Sequence, residues 1–282
     1  MSATAAVGRA ESRPVRVTIR VVVGLALIGV LIPLAWVVRL AFRPLTAYTG
    51  DPAGLGGGFT VDNIRTAWDS GLGHGLLSSL IIVPLGAVIA TALAATAGYG
   101  LAKERVPMRP LVTAVLVGTV AVPLTSLAVP IFDQALQFGY LGSQPAVALL
   151  YGVLFTGWGT LFMQSYFAGL PDELIEAARC DGAGHTRTFT SIALPVSVPA
   201  LISVFVVNLF SMWSELIIGL IMLPTTDKQT AAVVLAQFAT QYRSGGPVTA
   251  AAMLVMILPV VVAFFACQRW LKAEILGGAV KG

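Results

Sequence analysis

Long apolar stretches alternate with short polar stretches along most of the chain, and the apolar stretches define the predicted elements. A helix needs about 20 apolar residues to cross the roughly 30 Å hydrocarbon core of a bilayer. Stretches of this kind occur six times, at residues 17–41, 76–102, 111–132, 146–167, 196–223 and 248–270. None shows the short alternating segments of an outer-membrane barrel. The pattern therefore predicts an all-α polytopic membrane protein with six transmembrane helices.

Charge along the chain indicates how these helices are oriented. The chain is 57% hydrophobic and 11% charged, whereas roughly a quarter of the residues of soluble proteins are charged. Of its 17 lysines and arginines, twelve fall in the terminal segments, at the adjoining ends of the first and last apolar stretches, and in the loops after the second and fourth stretches. Since positively charged loops stay on the cytoplasmic side, both termini are predicted to be cytoplasmic. No basic cluster with interleaved aromatic residues suggests nucleic-acid binding.

The same pattern divides the chain into four parts. Residues 1–16 are predicted to be a cytoplasmic tail, and residues 17–75 the first transmembrane helix with an extracytoplasmic loop. Residues 76–270 form the membrane core, which contains a polar loop at 169–195, and residues 271–282 form a second cytoplasmic tail. Within the extracytoplasmic loop, residues 59–68 are either an interfacial amphipathic helix or part of an ordered lid.

The polar loop at residues 169–195 predicts two short helices joined by a glycine turn. A helix is predicted after Pro171, because proline is tolerated in a first turn and acidic residues such as Asp172 and Glu173 favour the positive end of a helix dipole. One side of this helix carries Leu174, Ile175, Ala177 and Ala178. Gly182 and Gly184 permit a sharp turn, and the second helix has an apolar face of Phe189, Ile192 and Ala193. On the residues alone, the loop either transmits force from a partner or lies on the lipid surface.

Catalytic and cofactor signatures are missing from the sequence. No GxxxxGK[ST] phosphate loop occurs, and neither does HExxH or GxSxG. The two histidines, His74 and His185, are predicted on opposite sides of the membrane, so a histidine metal site is not expected. The two cysteines, Cys180 and Cys267, are predicted on the reducing side, which disfavours a disulfide. We therefore expect a chain that is not an enzyme and binds no metal.

The order of residues in the polar loop carries a family resemblance. The string LPDELIEAARCDGAGHTRTFTSIALP at 170–195 resembles the EAA signature of permease subunits of bacterial ATP-binding-cassette (ABC) importers. It is most similar to the version in carbohydrate importers related to the maltose permease pair. The residues that match the signature are Glu176, Ala177, Ala178, Gly182, Ile192, Leu194 and Pro195.

Three other stretches are similar to the same family. TAGYGLAKERV at 96–106 fits the end of its second span. MWSELIIGLIML at 212–223 resembles its W-N-[DE] segment, with Trp213 and Glu215 matching and Ser214 in place of the usual Asn. LGGAVKG at 276–282 is similar to the tail of the shorter permease of the pair. The resemblance thus covers the chain from residue 76 onward, whereas the N-terminal quarter agrees only in topology.

What the resemblance implies is a permease subunit that forms half of the translocation pathway of an ATP-driven importer for a sugar or sugar-like solute. The implied partners are a sister permease, a dimer of ABC ATPases that uses ATP and Mg, and an extracytoplasmic solute-binding lipoprotein, in the lipid of a bacterial cytoplasmic membrane. This chain itself would bind no cofactor.

The resemblance also implies which residues contact the ATPase. In the loop these are Glu176, Ala177, Ala178, Asp181, Gly182, Phe189, Ile192, Leu194 and Pro195. In the tail they are Gly278, Val280, Lys281 and Gly282. On the residues alone, Glu176 pairs either with a partner or with Arg179. The apolar Phe189, Ile192 and Leu194 are either docking residues or packing residues beneath the membrane surface.

A polar stripe in the fifth apolar stretch is the candidate contact with the solute. Asn208, Ser211 and Glu215 recur at i, i+3 and i+7, and Glu215 is the one acid placed inside a predicted span. Stacking on a hydroxylated solute is predicted for Trp213, Tyr151 and Trp158. The alternative role of the stripe is hydrogen bonding to the sister permease. Alternative functions are a permease for a peptide, polyamine or phosphate, or a secondary transporter with Glu215 as its ion site.

Overall fold

The computed structural model describes residues 13–104, 106–241 and 246–279, and this part of the chain consists of helices and their connections. No strand occurs among these residues, in agreement with the predicted all-α class. The α-helices are α1 (Arg13–Ala41), α2 (Leu45–Gly50), α3 (Asp62–Ala67), α4 (Gly73–Lys103), α5 (Arg109–Ala121), α6 (Leu124–Gln137), α7 (Gln144–Leu154), α8 (Thr156–Ala168), α9 (Asp172–Cys180), α10 (His185–Thr188), α11 (Leu194–Val196), α12 (Val198–Trp213), α13 (Ile217–Met222), α14 (Ala231–Gln241) and α15 (Gly246–Ala279). The π-helices Trp68–Leu72 and Phe189–Ala193 join α3 to α4 and α10 to α11.

The membrane-spanning elements differ from the predicted spans in their continuity. Three helices are long and apolar enough to cross a bilayer by themselves, namely Val17–Ala41, Asp62–Lys103 and Gly246–Gln268. Three bent pairs pass the same test only together: α5 with α6 at 95°, α7 with α8 at 43°, and His185–Val196 with α12 at 77°. Six spans are reached if each bent pair counts as one. The six predicted spans are therefore accounted for, three of them by pairs of helices that meet at a bend.

Proline explains two of these breaks. Val122 and Pro123 separate α5 from α6, and Val122 has an extended ψ of 119° because a residue before proline is driven out of the helical region. Pro199 lies in the first turn of α12. Because proline has no N–H, it cannot donate to the preceding helix, and that helix does not continue into α12. The gentler bend between α7 and α8 lies at Phe155, where no proline occurs. Two of the three breaks thus have a cause that is local in sequence.

Helix α4 lies at the centre of the fold and packs against α7, α8 and α12. Small residues permit this close approach. A Cβ atom added at Gly98 would lie 2.7 Å from Met163 Cβ on α8, and one added at Gly86 would lie 3.0 Å from Tyr151 Cβ on α7. Such contacts are typical of helix pairs in membranes, where small residues let backbones approach. Apolar residues on both halves of α4 anchor the core, including Ile82, Val83, Ala90, Ala94 and Tyr99.

Helix α14 is not among the predicted elements. Its 11 residues are too few to span a bilayer, yet Ala231, Val233 and Phe238 are almost completely buried. The helix packs against α4 and α15. Ser79 on α4 accepts a 2.9 Å hydrogen bond from the N–H of Ala231, which satisfies a donor at the start of α14.

The loop predicted to be extracytoplasmic is ordered by contacts with the end of α1. The buried Asn63 of α3 donates hydrogen bonds to the carbonyl oxygens of Ala41 at 2.9 Å and Arg43 at 2.8 Å. Phe59 stacks on Phe42 with ring centroids 4.9 Å apart. These contacts tie Phe59 and Asn63 to the end of α1, which favours the ordered lid over an interfacial helix.

Candidate functional site

The first helix of the polar loop forms where the sequence predicts it. Helix α9 begins directly after Pro171 and carries Asp172 and Glu173 in its first turn. Of the four apolar residues expected on one side, Ile175 and Ala178 are buried. Leu174 is 44% exposed and Ala177 is also exposed. Half of the apolar side of α9 is therefore uncovered.

The glycine turn also forms as predicted, at one of the two candidate glycines. Gly182 adopts φ +81°, in the left-handed region where a side chain is strained. Its N–H donates to Arg179 O at 3.0 Å, and the N–H of Ala183 donates to Ala178 O at 3.0 Å. This pair of bonds is the Schellman arrangement that ends a helix. Gly184 has an ordinary φ of −70°, so the turn depends on Gly182.

The second arm of the loop runs as helical turns from residue 185 to residue 196 and packs inward. Phe189 is half-buried, with its ring centroid 5.0 Å from that of Tyr99 and 6.4 Å from that of Phe167. Leu194 is half-buried beside it in an apolar groove between α4 and α12. Ile192 is half-buried as well, whereas Pro195 is exposed. These contacts favour packing over docking for Phe189 and Leu194.

Glu176, the acid of the EAA sequence, is exposed and makes no hydrogen bond or ion pair with any residue in the described ranges. The alternative pairing with Arg179 is absent, because Arg179 donates instead to Glu104 at 2.9 Å. Asp181 is exposed next to the turn. The exposed surface of the loop thus carries the Glu176 and Asp181 carboxylates together with the uncovered Leu174 and Ala177.

Two residues outside the predicted site hold the loop to the end of α4. Lys103 Nζ lies 2.6 Å from Asp172 Oδ1 and 2.8 Å from Leu170 O. Glu104 accepts from Arg179 on one carboxylate oxygen, and its other oxygen lies 2.8 Å from His185 Nδ1. Neither residue was predicted as part of the site, although both belong to the TAGYGLAKERV stretch that resembles the family.

The predicted tail is described only in part. Helix α15 continues to Ala279, beyond the predicted end of the last span, and includes the backbone of Gly278. Val280, Lys281 and Gly282 lie outside the described residues. A role for the tail at the ATPase stays a prediction.

Three of the six candidate solute contacts line one cavity. Asn208 and Ser211 on α12 and Trp158 on α8 face a cavity of about 320 Å³. The cavity opens beside the break between α5 and α6, and its other lining residues are Thr119, Val120, Val122, Leu124, Leu154, Phe155 and Val207. Asn208 is only 2% exposed, yet its Nδ2 has no hydrogen-bond partner within the described part of the chain. Because buried amide donors are nearly always paired, Asn208 is the lining residue best placed to donate a hydrogen bond into the cavity.

The other three candidates make contacts within the protein instead. Helix α12 ends at Trp213, so the predicted i, i+7 stripe does not extend to Glu215. Trp213 Nε1 donates to Met256 O at 3.2 Å. Tyr151 is fully buried, and its hydroxyl donates to Glu215 at 2.8 Å. The stripe is therefore corrected to Asn208 and Ser211.

Glu215 caps the first turn of α13. Its carboxylate accepts from the N–H of Ile217 at 2.7 Å, of Ile218 at 3.0 Å and of Gly219 at 3.3 Å. With the Tyr151 hydroxyl, four donors converge on one buried carboxylate. An acid at a helix N-terminus is stabilised by the dipole and by the free N–H groups. A secondary transporter would need Glu215 as its ion site. Because the Glu215 carboxylate is taken up by these four hydrogen bonds, the structure gives that alternative function no support.

A bundle of apolar helices around a partly polar cavity, with a polar helical hairpin outside the bundle, defines a polytopic membrane permease. The chain belongs to the family of binding-protein-dependent transport system inner membrane components, whose family model matches residues 90–276. The resemblance drawn from the EAA string is thereby confirmed. A chain of this family is a non-catalytic permease component of an ABC importer in the inner membrane. Membership of the family implies that an ATPase and a binding protein are partners.

Several curated relatives are sugar permeases by name. The diacetylchitobiose uptake permease NgcG of Streptomyces coelicolor is 27% identical over 89% of this chain and 84% of its own. The alpha-glucoside permease AglG of Rhizobium meliloti is 32% identical over 79% of this chain and 61% of its own. A further relative is named for other solutes: the osmoprotective compounds permease GgtD of Synechocystis is 34% identical over 75% of this chain and 72% of its own.

Solved structures show the same fold. A crystal structure of a bacterial ABC transporter involved in import of the acidic polysaccharide alginate superposes with a TM-score of 0.75. The match covers 94% of this chain and 99% of the other at 19% identity. A methionine ABC transporter in inward-facing conformations matches with a TM-score of 0.59 over 72% of this chain. At these identities the likeness concerns the fold alone.

Proposed function

We propose that this chain forms half of the translocation pathway of an ABC importer for a sugar or sugar-like solute. The observation that carries the solute class is the cavity that brings together the Asn208 amide, the Ser211 hydroxyl and the Trp158 ring. An amide donor and a hydroxyl suit the hydroxyl groups of a sugar, and an aromatic face suits its apolar C–H surface. Relatives named for diacetylchitobiose, alpha-glucosides and trehalose support the same class.

The other half of the pathway is assigned to a sister permease. The cavity lies at the surface of the chain, and one wall is formed by α5 and α6, whose apolar side chains are mostly exposed. Large exposed apolar surfaces in a membrane subunit face lipid or a second subunit. Both termini are assigned to the cytoplasm, which the distribution of lysine and arginine supports.

The polar loop at residues 169–195 is assigned to the ATPase. Its exposed surface carries Glu176 without a described partner and the uncovered Leu174 and Ala177. A free carboxylate beside exposed apolar residues suits a protein groove better than water, because an interface pairs the charge and covers the apolar area. The use of ATP and Mg is assigned to the ATPase.

Uptake kinetics of cavity variants test the solute assignment. Asn208→Ala and Trp158→Ala are compared with Trp36→Ala, since Trp158 and Trp36 are 37% and 38% exposed but Trp36 lies on α1, away from the cavity. In proteoliposomes holding the full importer, we expect the two cavity variants to lower uptake of radiolabelled maltose, trehalose or melibiose by about tenfold, equivalent to about 1.4 kcal/mol. Trp36→Ala is expected to leave it unchanged. Wild-type kinetics in both cavity variants, for a sugar that the wild type imports, would assign the solute contacts to the sister permease.

A further inference from the structure

We propose that Lys103 and Glu104, at the C-terminal end of α4, are positioning residues for transport that make the polar loop and α4 move as one body. The inference rests on the proposed role of residues 169–195 as the ATPase-coupling loop, and it adds residues outside that loop. Lys103 is the last residue of α4 and Glu104 follows it directly. The pair is here called the α4 clasp.

Lys103 fixes the start of the loop. Its ammonium group lies 2.6 Å from Asp172 Oδ1, in the first turn of α9, and 2.8 Å from Leu170 O, in the connection from α8. The Lys103 side chain is 6% exposed, so the charge is largely shielded from water and its two acceptors stabilise it. One side chain therefore joins α4, the end of α8 and the beginning of α9.

Glu104 fixes both arms of the loop across the Gly182 turn. One carboxylate oxygen accepts from Arg179 at 2.9 Å, near the end of α9. The other oxygen lies 2.8 Å from His185 Nδ1, at the first residue of α10. A single carboxylate thus bridges the residues before and after the turn. Charge-assisted bonds of this kind are shorter and stronger than neutral ones.

Closely packed helices connect the clasp to the cavity. Above it, α4 packs on α8 at Gly98 with almost no room for a side chain. A Cβ atom added at Gly159, beside Trp158, would lie 2.9 Å from Val204 on α12 and 3.0 Å from Ala94 on α4. Helices this closely packed shift together, because packed interiors deform little. Movement of the loop is therefore passed through α4 to the helices that carry Trp158 and Asn208.

The Glu104 half of the clasp is suited to coupling more than to stability. The side chains of Glu104 and Arg179 are 24% and 41% exposed, and partly exposed ion pairs contribute little to folding. Replacement of Glu104 is therefore expected to leave the chain folded, with its effect visible in the coupling of ATP hydrolysis to transport.

Charge exchange across the clasp tests the proposal in the full importer reconstituted in proteoliposomes with its binding protein. We expect Glu104→Arg and Arg179→Glu each to lower uptake per ATP hydrolysed by about tenfold, a typical size for coupling between sites. The double exchange Glu104→Arg/Arg179→Glu is expected to recover to within about threefold of the wild type, because it restores opposite charges. Asp69→Arg is the control, since Asp69 forms an exposed ion pair with Arg65 at 3.9 Å near the other end of α4.

Two readouts separate this proposal from the proposed function. Co-purification of the ATPase with the permease is expected to be normal in the Glu104 variants and reduced in Glu176→Lys. If Glu176→Lys is defective while Glu104→Arg shows wild-type uptake per ATP, the clasp proposal alone is wrong. If Glu176→Lys retains both co-purification and uptake, the loop assignment itself fails. If Glu104→Arg does not assemble, Glu104→Gln is measured instead. Wild-type uptake per ATP in Glu104→Gln would refute the clasp proposal, and reduced uptake per ATP would support it.

Discussion

Replacement of Glu215 by alanine tests whether this buried carboxylate caps a helix or contacts the solute. Glu215 is 8% exposed and accepts hydrogen bonds from the N–H groups of Ile217, Ile218 and Gly219 and from the hydroxyl of Tyr151. Alanine removes the acceptor of all four donors. The cap is therefore lost, and the buried tyrosine hydroxyl loses its partner.

The magnitude follows from those two losses. Removing a side-chain cap costs about 0.5–2 kcal/mol. Leaving a buried hydroxyl unsatisfied costs about 1–3 kcal/mol more. The sum of about 1.5–5 kcal/mol corresponds to a melting temperature lowered by on the order of 10 °C. Glu215→Gln keeps an acceptor for the helix N–H groups, so we expect a loss of only about 1 kcal/mol.

The assay is thermal unfolding of the purified importer, followed by intrinsic fluorescence, together with uptake per assembled complex. Tyr151→Phe completes a double-mutant cycle with Glu215→Ala. We expect the destabilisation of the double variant to be smaller than the sum of the two single destabilisations. The reason is that Tyr151→Phe removes the hydroxyl that Glu215→Ala leaves without an acceptor. A wild-type melting temperature for Glu215→Ala with strongly reduced uptake would refute the capping role and place the carboxylate on the solute pathway.

Two pairs of glycine variants test the remaining structural claims. Gly182→Ala is expected to cost about 1 kcal/mol and to reduce ATPase co-purification, because alanine is strained at φ +81°, whereas Gly184→Ala at φ −70° is expected to be neutral. Equal co-purification of the two would show that the turn does not need its left-handed residue. Gly98→Ala is expected to lower the melting temperature because its Cβ meets Met163 at 2.7 Å, whereas Gly100→Ala on the same helix meets nothing within 4 Å. Equal melting temperatures would show that α4 and α8 pack less closely than described.

Features set by neighbouring residues were predictable from the sequence. The start of α9 depends on Pro171 and the acids after it, and its end depends on Gly182, so both helix ends were predicted correctly. The break at Pro123 has an equally local cause, but the apolar run from 111 to 132 continues through it. Hydrophobicity alone therefore located one span there and gave no sign that two helices meet at 95°.

Features set by distant residues were not predictable. Glu215 meets Tyr151 from 64 positions away, and Glu104 meets Arg179 from 75 positions away. Spacing within one helix gives no information on such pairs, so Glu215 was placed on a stripe and Glu104 was missed. Asn208, Ser211 and Trp158 were predicted as candidates by residue type, and the fold brings these three together at one cavity.

The central claim is that an ATPase drives this permease through the EAA loop. Its most direct test is ATP hydrolysis stimulated by the loaded binding protein, measured in the reconstituted importer with Glu176→Lys and with Glu173→Lys. Glu173 is exposed on the same helix and lies outside the EAA sequence, so it is a control for the same change in charge. We predict that Glu176→Lys inserts normally but loses stimulated hydrolysis and uptake, while Glu173→Lys retains both. Normal stimulation in Glu176→Lys, or solute uptake that continues without ATP, would contradict the claim.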